Sequence, residues 1–336
     1  MIQSSKQAGA SDIHVQPEES GVKIRFRVNG VMREWERLSL DHKSGFLLEA
    51  KRLSGCSIAV SGKAQDARLT VASLKLDLRV NLIPTLFGEK LVLRLLKQDR
   101  IFSLESLGLS DAIIRKIKRA LSLDSGVMIL TGPTGAGKTT TLYSSLTHLD
   151  AEALNIMTVE DPVEYRFPDI SQISVTPKLP FSETLKNILR QDPDVILFGE
   201  IRDRESAKLC FQAAETGHLV LTTLHANGAS EVTTRLRSLD VEDQHIKSCL
   251  RFCSAQRLLP KLCSHCRLPD PESSLFTKNP SGCSHCQQGI SGMVLLMECL
   301  EFFEGSETSP NPNLKTISNQ LAKEGVIDAS EINSFN

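Results

Sequence analysis

One stretch of the sequence has the residue types and the spacing of a phosphate-binding loop. It fits the pattern G-x-x-x-x-G-K-[ST] and reads Gly132, Pro133, Thr134, Gly135, Ala136, Gly137, Lys138, Thr139. The glycines let backbone N–H groups surround phosphate oxygens, and the following helix adds the partial positive charge of its N-terminus. We expect Lys138 to reach the β- and γ-phosphates of a nucleotide and the Thr139 hydroxyl to hold Mg²⁺. An apolar run (127–131) precedes the loop and a helix-competent segment (139–148) follows it, which is the context that the motif requires.

Polar side chains follow three further apolar runs, at the point where each predicted strand ends. The runs cover residues 155–159, 194–198 and 218–224, and they end at the cluster 160–164, at Glu200 and at His225. Helix-like segments alternate with these runs, at 181–190, 205–216 and 230–239. This alternation predicts a buried, mostly parallel sheet, in which ligands bind beyond the carboxyl ends of the strands. We therefore expect these side chains to converge on the phosphates.

The hydrolysis of a nucleoside triphosphate needs a carboxylate that orients or deprotonates water, besides Mg²⁺ and cations. Glu164 and Glu200 are the candidates, and Glu200 follows its strand directly, where a Mg²⁺-associated carboxylate belongs. Glu160 and the residue after it could equally form a turn before a proline. His225 is well placed at the carboxyl ends of the strands. For His218, a structural role and a contact with phosphate both remain open.

Four of the nine cysteines have the spacing of a structural zinc site. They form C-x₂-C-x₁₆-C-x₂-C, a zinc-ribbon spacing, with the ligands Cys263, Cys266, Cys283 and Cys286. Four thiolates leave no open coordination position, so the predicted Zn²⁺ is structural and not catalytic. His265 and His285 lie between the ligands and are predicted to be bystanders. The other five cysteines are predicted to be ordinary buried residues.

The first hundred residues predict a small α+β domain. An alternating run (22–28), Asn29-Gly30 and a second run (31–35) form the strongest short hairpin signal, and a helix is expected near 44–53. Two more strands are expected at 74–83 and 90–96. In the first of them Asp77, Arg79 and Asn81 share one face, which is either simply solvated or functional. Residues 103–108 are predicted to be a linker, followed by an amphipathic helix (110–121).

The composition indicates a soluble globular protein and excludes some functions. The 336 residues are 40% hydrophobic and 24% charged, with a formal net charge of −1, so no overall field recruits nucleic acid or anionic lipid. No apolar run approaches membrane-spanning length, and the first residues contain no apolar segment of a signal peptide. Paired C-x-x-C motifs beside a nucleotide motif favour a cytosolic metal site over a disulfide framework.

Together these motifs resemble the ATPases that drive type II secretion and type IV pilus assembly. The resemblance covers about residues 8–300 and is carried by 10–15, 132–140, 159–165, 189–203, 216–225 and the two C-x-x-C pairs. It implies a PAS-like first domain (1–105), a RecA-like P-loop motor domain (106–258), a zinc-binding tetracysteine element (259–292) and a C-terminal tail (293–336). It also implies a ring-shaped homo-hexamer that hydrolyses ATP at subunit boundaries and drives an inner-membrane platform protein, which adds pilin-like subunits to a fibre.

The resemblance also assigns roles to residues of this sequence. It places Glu164 at the general-base position and Glu200 at the Walker B position, and it maps a histidine box onto His218 and His225. Thr140 extends the phosphate-binding loop. Phosphate-binding arginines are implied at three positions: Arg79, Arg94 and Arg190. The expected location is cytoplasmic, at the inner face of the cytoplasmic membrane, with membrane association only through partners.

Three alternatives remain open at this point. A pilus-retraction ATPase is disfavoured because retraction relatives lack the tetracysteine element. A nucleotide-gated scaffold with weak turnover is disfavoured by the intact Glu164 and Glu200. A zinc-dependent ATPase that binds nucleic acid is the least favoured, because no basic stripe with interleaved aromatics occurs and only 5% of residues are aromatic.

Overall fold

The computed structural model describes residues 1–28, 31–60, 62–74, 76–96, 103–176, 179–270, 273–303, 306–307 and 312–335. The chain forms two compact units. The first contains Met1–Arg100 together with Glu164–Arg166, and the second contains Ile101–Val163 and Phe167–Asn336. Within the described residues, no helix is both long enough and apolar enough to cross a membrane.

The first unit is an antiparallel sheet of six strands with the order β3-β2-β1-β6-β5-β4. In chain order its elements are α1 (Ile2–Gln7), β1 (Asp12–Glu18), β2 (Gly21–Val28), β3 (Val31–Ser39), α2 (Leu40–Ser54), β4 (Gln65–Val71), β5 (Leu76–Thr85) and β6 (Gly88–Leu96). One face of the central strands is apolar and buried, and α2 and parts of the neighbouring loops pack against it. Alternation along β2 and β5 places every second side chain in this core.

The predicted elements of the first unit are present, and two strands were not predicted. β2 and β3 pair as an antiparallel hairpin, although Asn29 and Gly30 lie outside the described residues. The helix and the strands expected near 44–53, 74–83 and 90–96 are also found. Two strands have no clear signal in the sequence: β1, whose buried positions include an aspartate and a proline and alternate with polar residues, and the mostly polar β4.

Asp77 shows that the polar face of β5 is more than a solvated surface. Its side chain is fully buried, and it accepts hydrogen bonds from Arg68 Nη2 at 2.7 Å and Thr70 Oγ1 at 2.6 Å. Arg166 Nε lies 3.3 Å from the same carboxylate. Burial alone would raise the pKa of Asp77, but the hydrogen bonds from Thr70 and Arg68 outweigh it and hold the pKa below its usual value. Asp77 thus attaches the segment 164–166 to the first unit.

The second unit is built on a sheet of eight strands with the order β16-β15-β12-β7-β11-β10-β8-β9. The strands from β12 to β9 run parallel, whereas β15 and β16 are antiparallel additions at one edge. The strands are β7 (Gly126–Thr131), β8 (Ile156–Glu160), β9 (Ser171–Ser174), β10 (Val195–Ile201), β11 (Leu219–Leu224), β12 (Leu250–Leu262), β15 (Ile290–Phe303) and β16 (Ser306–Glu307). All residues of β7 and β11 are buried, which explains their continuous apolar sequences.

The helices of the second unit begin with α3 and end with α9. They are α3 (Asp111–Leu121), α4 (Lys138–Leu146), α5 (Phe181–Ile188), α6 (Arg204–Glu215), α7 (Val232–Ser238), α8 (Asp243–Cys249) and α9 (Leu314–Lys323).

The prediction of a linker at 103–108 is corrected by the structure. Leu104–Leu107 forms a 3₁₀ turn that is capped by the Ser103 side chain. Leu104 is almost fully buried, and its burial holds this segment against the second unit.

The cysteine-rich segment is an insertion between two strands of the main sheet. β12 and β15 pair antiparallel along almost their whole length, and the segment between them carries the small hairpin β13 (Leu268–Pro269) and β14 (Phe276–Thr277). Both long strands cross the predicted domain limits at residues 258 and 292. Sequence periodicity missed these two strands because buried small and polar residues interrupt their apolar pattern.

We predict that Asp77→Asn destabilises the first unit by about 1–3 kcal/mol, because a buried carboxylate that satisfies two donors is lost. The lowered native pKa means that Asp77 stabilises the fold above its unfolded-state pKa of about 3.9 and that this stabilisation is lost as pH falls through the native pKa. Urea unfolding should be followed by the emission of Trp35, the single tryptophan, which stacks on Phe26.

The matched control is Glu49→Gln, which removes an exposed ion pair with Arg52 and should change stability by less than about 0.5 kcal/mol. The difference between wild type and Asp77→Asn should shrink as pH falls toward 3. A difference that is independent of pH, or a variant as stable as wild type at pH 7, would show that the Asp77 charge does not stabilise this unit.

Candidate phosphate-binding site

The predicted loop connects the carboxyl end of β7 to the first residue of α4. Gly132, Gly135 and Gly137 have φ values of +139°, +80° and +85°, which side-chain-bearing residues rarely adopt. A Cβ atom on Gly132 would lie 2.4 Å from the carbonyl oxygen of Gln256, so the backbone of β12 approaches the loop too closely for any other residue. The loop therefore has the strand–loop–helix geometry that its sequence predicts.

Lys138 lies across the start of this loop. Its Nζ donates hydrogen bonds to the carbonyl oxygens of Gly132 at 2.6 Å and Pro133 at 3.0 Å. Burial lowers the pKa of Lys138, the neighbouring Arg257 lowers it further, and the charge of Glu200 opposes both. The ammonium group thus lies against the backbone of the loop that is predicted to bind phosphate.

Glu200 and His225 meet at the carboxyl edge of the sheet, as predicted. His225 Nε2 lies 2.7 Å from Glu200 Oε1, and Arg202 Nε donates to Glu200 Oε2 at 2.9 Å. Pairing between β10 and β11 shifts in register between Phe198 and Ile201, so Glu200 lies in an irregular part of its strand. A bulge of this kind reorients a side chain relative to a regular strand. A carboxylate and an imidazole in contact can bind Mg²⁺ or water and can transfer a proton.

Glu160 and Asp161 differ from each other in their surroundings. Glu160 is buried in β8, where it accepts hydrogen bonds from Tyr143, from Thr158 at 2.7 Å and from Gln172 at 3.4 Å. Asp161 is exposed and lies 3.5 Å from Arg202. Glu160 therefore joins α4 to β8 and β9, and the turn interpretation does not describe it.

Glu164 belongs to the first unit, together with two of the predicted arginines. Arg79 and Arg94 are directly opposite each other on β5 and β6, and Arg94 Nε donates to Asp12 Oδ1 at 2.9 Å. Desolvation by the surrounding protein atoms raises the pKa of the Glu164 carboxyl, while the charges of Arg94 and Arg79 oppose the rise. The structure thus brings Glu164, Arg79 and Arg94 into electrostatic reach of one another.

The structure does not bring His218 to the loop, which corrects its predicted contact with phosphate. His218 precedes the amino end of β11, and the strand separates it from the carboxyl edge by about 20 Å at ~3.3 Å per residue. Its Nδ1 lies 2.8 Å from the Ala213 carbonyl oxygen and 3.1 Å from Thr216 Oγ1. The imidazole thus contacts one backbone carbonyl oxygen and one side-chain hydroxyl at the end of α6, which is the structural role left open by the sequence.

Arg190 is also distant from the loop of its own chain. It is exposed in the turn after α5, close in sequence to the amino end of β10. The backbone carbonyls of the next two residues accept hydrogen bonds from Asn155, which precedes β8. Arg190 therefore lies near the amino ends of the strands, whereas the phosphate-binding loop lies at their carboxyl ends.

Gln256 was not predicted, yet it supports the loop directly. Its side chain is fully buried, and its Nε2 donates to the Ala136 carbonyl oxygen at 2.7 Å. Pairing of Ala255 with Thr131 places Gln256 beside the first residue of the loop. No local motif marks it, because its position follows from strand pairing over more than a hundred residues.

A cleft of about 680 Å³ borders the loop and is lined by Gly132, Pro133, His225 and residues of α7 and β12.

The four predicted ligand cysteines lie together. All four Sγ atoms are within 4.8 Å of one another, with separations of 3.5–3.7 Å for three of the pairs. Four sulfurs at about 2.3 Å around one ion are about 3.8 Å apart, so the donor set fits a tetrahedral metal. His265 and His285 stack on each other, with ring centroids 4.2 Å apart, and are not part of the cluster. The other five cysteines are buried, as predicted.

A phosphate-binding loop at the carboxyl edge of a parallel sheet is the arrangement of the P-loop class of α/β proteins. Within this class, the chain belongs to the type II/IV secretion system protein family, whose model matches residues 1–327. The family resemblance of the sequence is therefore confirmed.

Relatives with recorded functions include proteins of both systems. The chain is 37% identical over 96% of its length to the type IV pilus assembly ATPase PilB of Acinetobacter baylyi, of which it covers 63%. It is 39% identical over 87% of its length to the type II secretion system protein E of Klebsiella pneumoniae, of which it covers 62%. The chain thus spans about three-fifths of the length of these relatives.

Solved structures share the fold. The pilus retraction motor PilT with bound ADP matches 100% of this chain and 95% of its own, with a TM-score of 0.73 and 24% identity. The Legionella pneumophila ATPase DotB matches 99% of this chain and 93% of its own, with a TM-score of 0.70 and 23% identity.

The position of His218 generates a prediction. His218→Ala should lower the free energy of unfolding by about 1 kcal/mol, because the Ala213 carbonyl loses a partner, and should leave the nucleotide affinity within twofold of wild type. His225→Ala is the matched comparison and should lower nucleotide turnover with little loss of stability, since its ring is exposed. Thermal unfolding and titration with a fluorescent nucleotide measure both effects. Equal loss of nucleotide affinity in the two folded variants would contradict the placement of His218.

Proposed function

We propose that this chain is an ATP-hydrolysing motor that powers the assembly of pilin or pseudopilin fibres, in type IV pilus biogenesis or type II secretion. The observation that carries the proposal is the convergence of Lys138, Glu200 and His225 at one sheet edge beside an intact phosphate-binding loop. Cations, a carboxylate and a proton-transferring group around phosphate are the parts that phosphoryl transfer to water requires.

The proposed site roles extend those of the sequence. The residues 132–140 cradle the phosphates, Thr139 holds Mg²⁺, Glu200 orients the metal or water, and Glu164 acts as general base. The nearness of Glu164 to Arg79 and Arg94, the proposed phosphate-binding arginines, supports this base role. Arg79 and Arg94 contribute cations to the phosphates.

The proposed domain assignment follows the two sheets. The second unit is a RecA-like motor domain, which its central parallel sheet and its loop position support. The first unit is PAS-like, which its antiparallel sheet with a packed helix supports. The cysteine cluster holds one structural Zn²⁺, since four thiols at these separations leave no position for a substrate.

The proposed assembly and location come from the family. Six copies form a ring in the cytoplasm, at the inner face of the cytoplasmic membrane, and act on a platform protein in that membrane. An assembly motor is preferred over a retraction motor because the cysteine cluster fits the assembly type, and the likeness to PilT extends only to the fold. An arginine such as Arg190, which is distant from its own loop, would then be available to a neighbouring subunit.

The proposal is tested by measuring ATP hydrolysis over a series of protein concentrations, with molar mass determined by light scattering. We expect turnover per chain to rise as hexamers form, because subunits complete each other's sites. The control is Glu164→Gln, which should keep mass and ATP affinity but lose turnover by about 10²- to 10⁴-fold, the usual contribution of general base catalysis.

Other outcomes separate the alternatives. ATP binding without turnover at any concentration would favour the nucleotide-gated scaffold. Turnover that is independent of concentration in a monomer would contradict sites completed by neighbours. Wild-type turnover in Glu164→Gln would remove Glu164 from the base role.

The metal proposal predicts about one zinc per purified chain. Cys263→Ser should lower the zinc content and destabilise the second unit, because structural zinc contributes about 10–16 kcal/mol of apparent binding free energy in small domains. Elemental analysis and thermal unfolding measure the two effects, and Cys56→Ser, outside the cluster, is the control that should keep its zinc. A wild-type protein that remains metal-free after reconstitution with Zn²⁺ would contradict the assignment.

A further inference from the structure

Arg257 extends from β12 into the cleft beside the phosphate-binding loop. Ala255 pairs with Thr131, the last residue of β7, so the next residues of β12 lie level with the loop itself. Gln256 turns toward the loop, where its side chain binds the Ala136 carbonyl oxygen. Because side chains alternate along a strand, Arg257 projects to the other side, into the cleft that Gly132, Pro133 and His225 also line.

The charge of Arg257 has no anion in contact with it among the described residues. The guanidinium is partly buried, and its one hydrogen bond goes to the backbone carbonyl oxygen of Gln256 at 3.2 Å. Glu298 acts on it only at longer range, and both carboxylate oxygens of Glu298 already accept backbone hydrogen bonds, from Ala229 at 2.7 Å and Leu314 at 2.8 Å. Burial lowers the pKa of Arg257, yet a guanidinium remains charged at neutral pH.

Arg257 also lies within electrostatic reach of Lys138. Its charge lowers the pKa of the lysine, so the two cations repel each other across the start of the loop. A pair of partly buried like charges is unfavourable unless an anion lies near both. A nucleotide polyphosphate on the loop would bring such an anion, and its negative oxygens suit the planar donor fork of arginine.

We propose that Arg257 is a nucleotide-binding residue, which donates hydrogen bonds to the phosphate oxygens of a nucleoside di- or triphosphate held by the loop. The inference rests on the proposed function and adds to it a cation that no sequence motif marks. Arg257 thereby complements Lys138 from the side of the cleft, while Gln256 fixes the loop from the same strand.

The test compares Arg257→Gln with Arg251→Gln. Arg251 is on the same strand, is also partly buried and also contacts a backbone carbonyl oxygen, but it lies near the amino end of the parallel sheet. Affinities for ATP and ADP with Mg²⁺ should be measured by calorimetric titration. We expect Arg257→Gln to weaken both by about 10- to 100-fold, the usual range for a lost hydrogen bond to a charged group, and Arg251→Gln to change them less than twofold.

Arg257→Lys should give an intermediate loss, because it keeps the charge but not the fork. If the glutamine variant does not fold, the nucleotide affinity of Arg257→Lys tests the proposal in its place. Circular dichroism checks folding in each case. Wild-type affinity in a folded Arg257→Gln, or equal losses in the two glutamine variants, would overturn the inference and leave the proposed function standing. A wild-type chain that binds neither nucleotide, with Lys138→Ala indistinguishable from it, would overturn both.

Discussion

The candidate site depends on the parallel pairing of β7 with β11 and β12. This pairing aligns the carboxyl ends of the strands, so the loop after Thr131, His225 after β11 and Gln256 on β12 are brought to one edge. The contact at Gly132 makes the alignment strict, because a Cβ atom there would collide with the Gln256 carbonyl oxygen. Loop conformation and sheet register therefore cannot vary independently.

Much of this arrangement could be predicted from local sequence. The loop, the strands that end at Glu200 and His225 and the cysteine pairs each carry their signal within a few residues. His218 could not be placed in this way, because one short motif spans a whole buried strand and its two histidines lie at opposite ends. Gln256 and Arg257 could not be found either, since their proximity to the loop arises from pairing between strands that are far apart in the sequence.

The polar face of the first unit shows a different limit of sequence reasoning. Asp77 and Arg79 share one face of β5, and periodicity alone treats them alike. The structure separates them: Asp77 is fully buried by Arg68, Thr70 and Arg166, whereas Arg79 remains exposed. The difference comes from β4 and the segment 164–166, neither of which has a strong sequence signal. A buried carboxylate thus attaches to the first unit the segment that carries Glu164.

The cysteine cluster is connected to the phosphate-binding loop through β12. Cys263 follows directly after β12, and Cys286 precedes β15 by only a few residues, so the cluster closes the end of the hairpin that these two strands form. A metal held by four thiolates would restrict that end of the hairpin. Because β12 also carries Gln256, whose Nε2 donates to the Ala136 carbonyl oxygen, such a metal would also limit movement of the strand that supports the phosphate-binding loop. The cysteine segment thus connects two strands of the main sheet, although the sequence predicts it as a separate element.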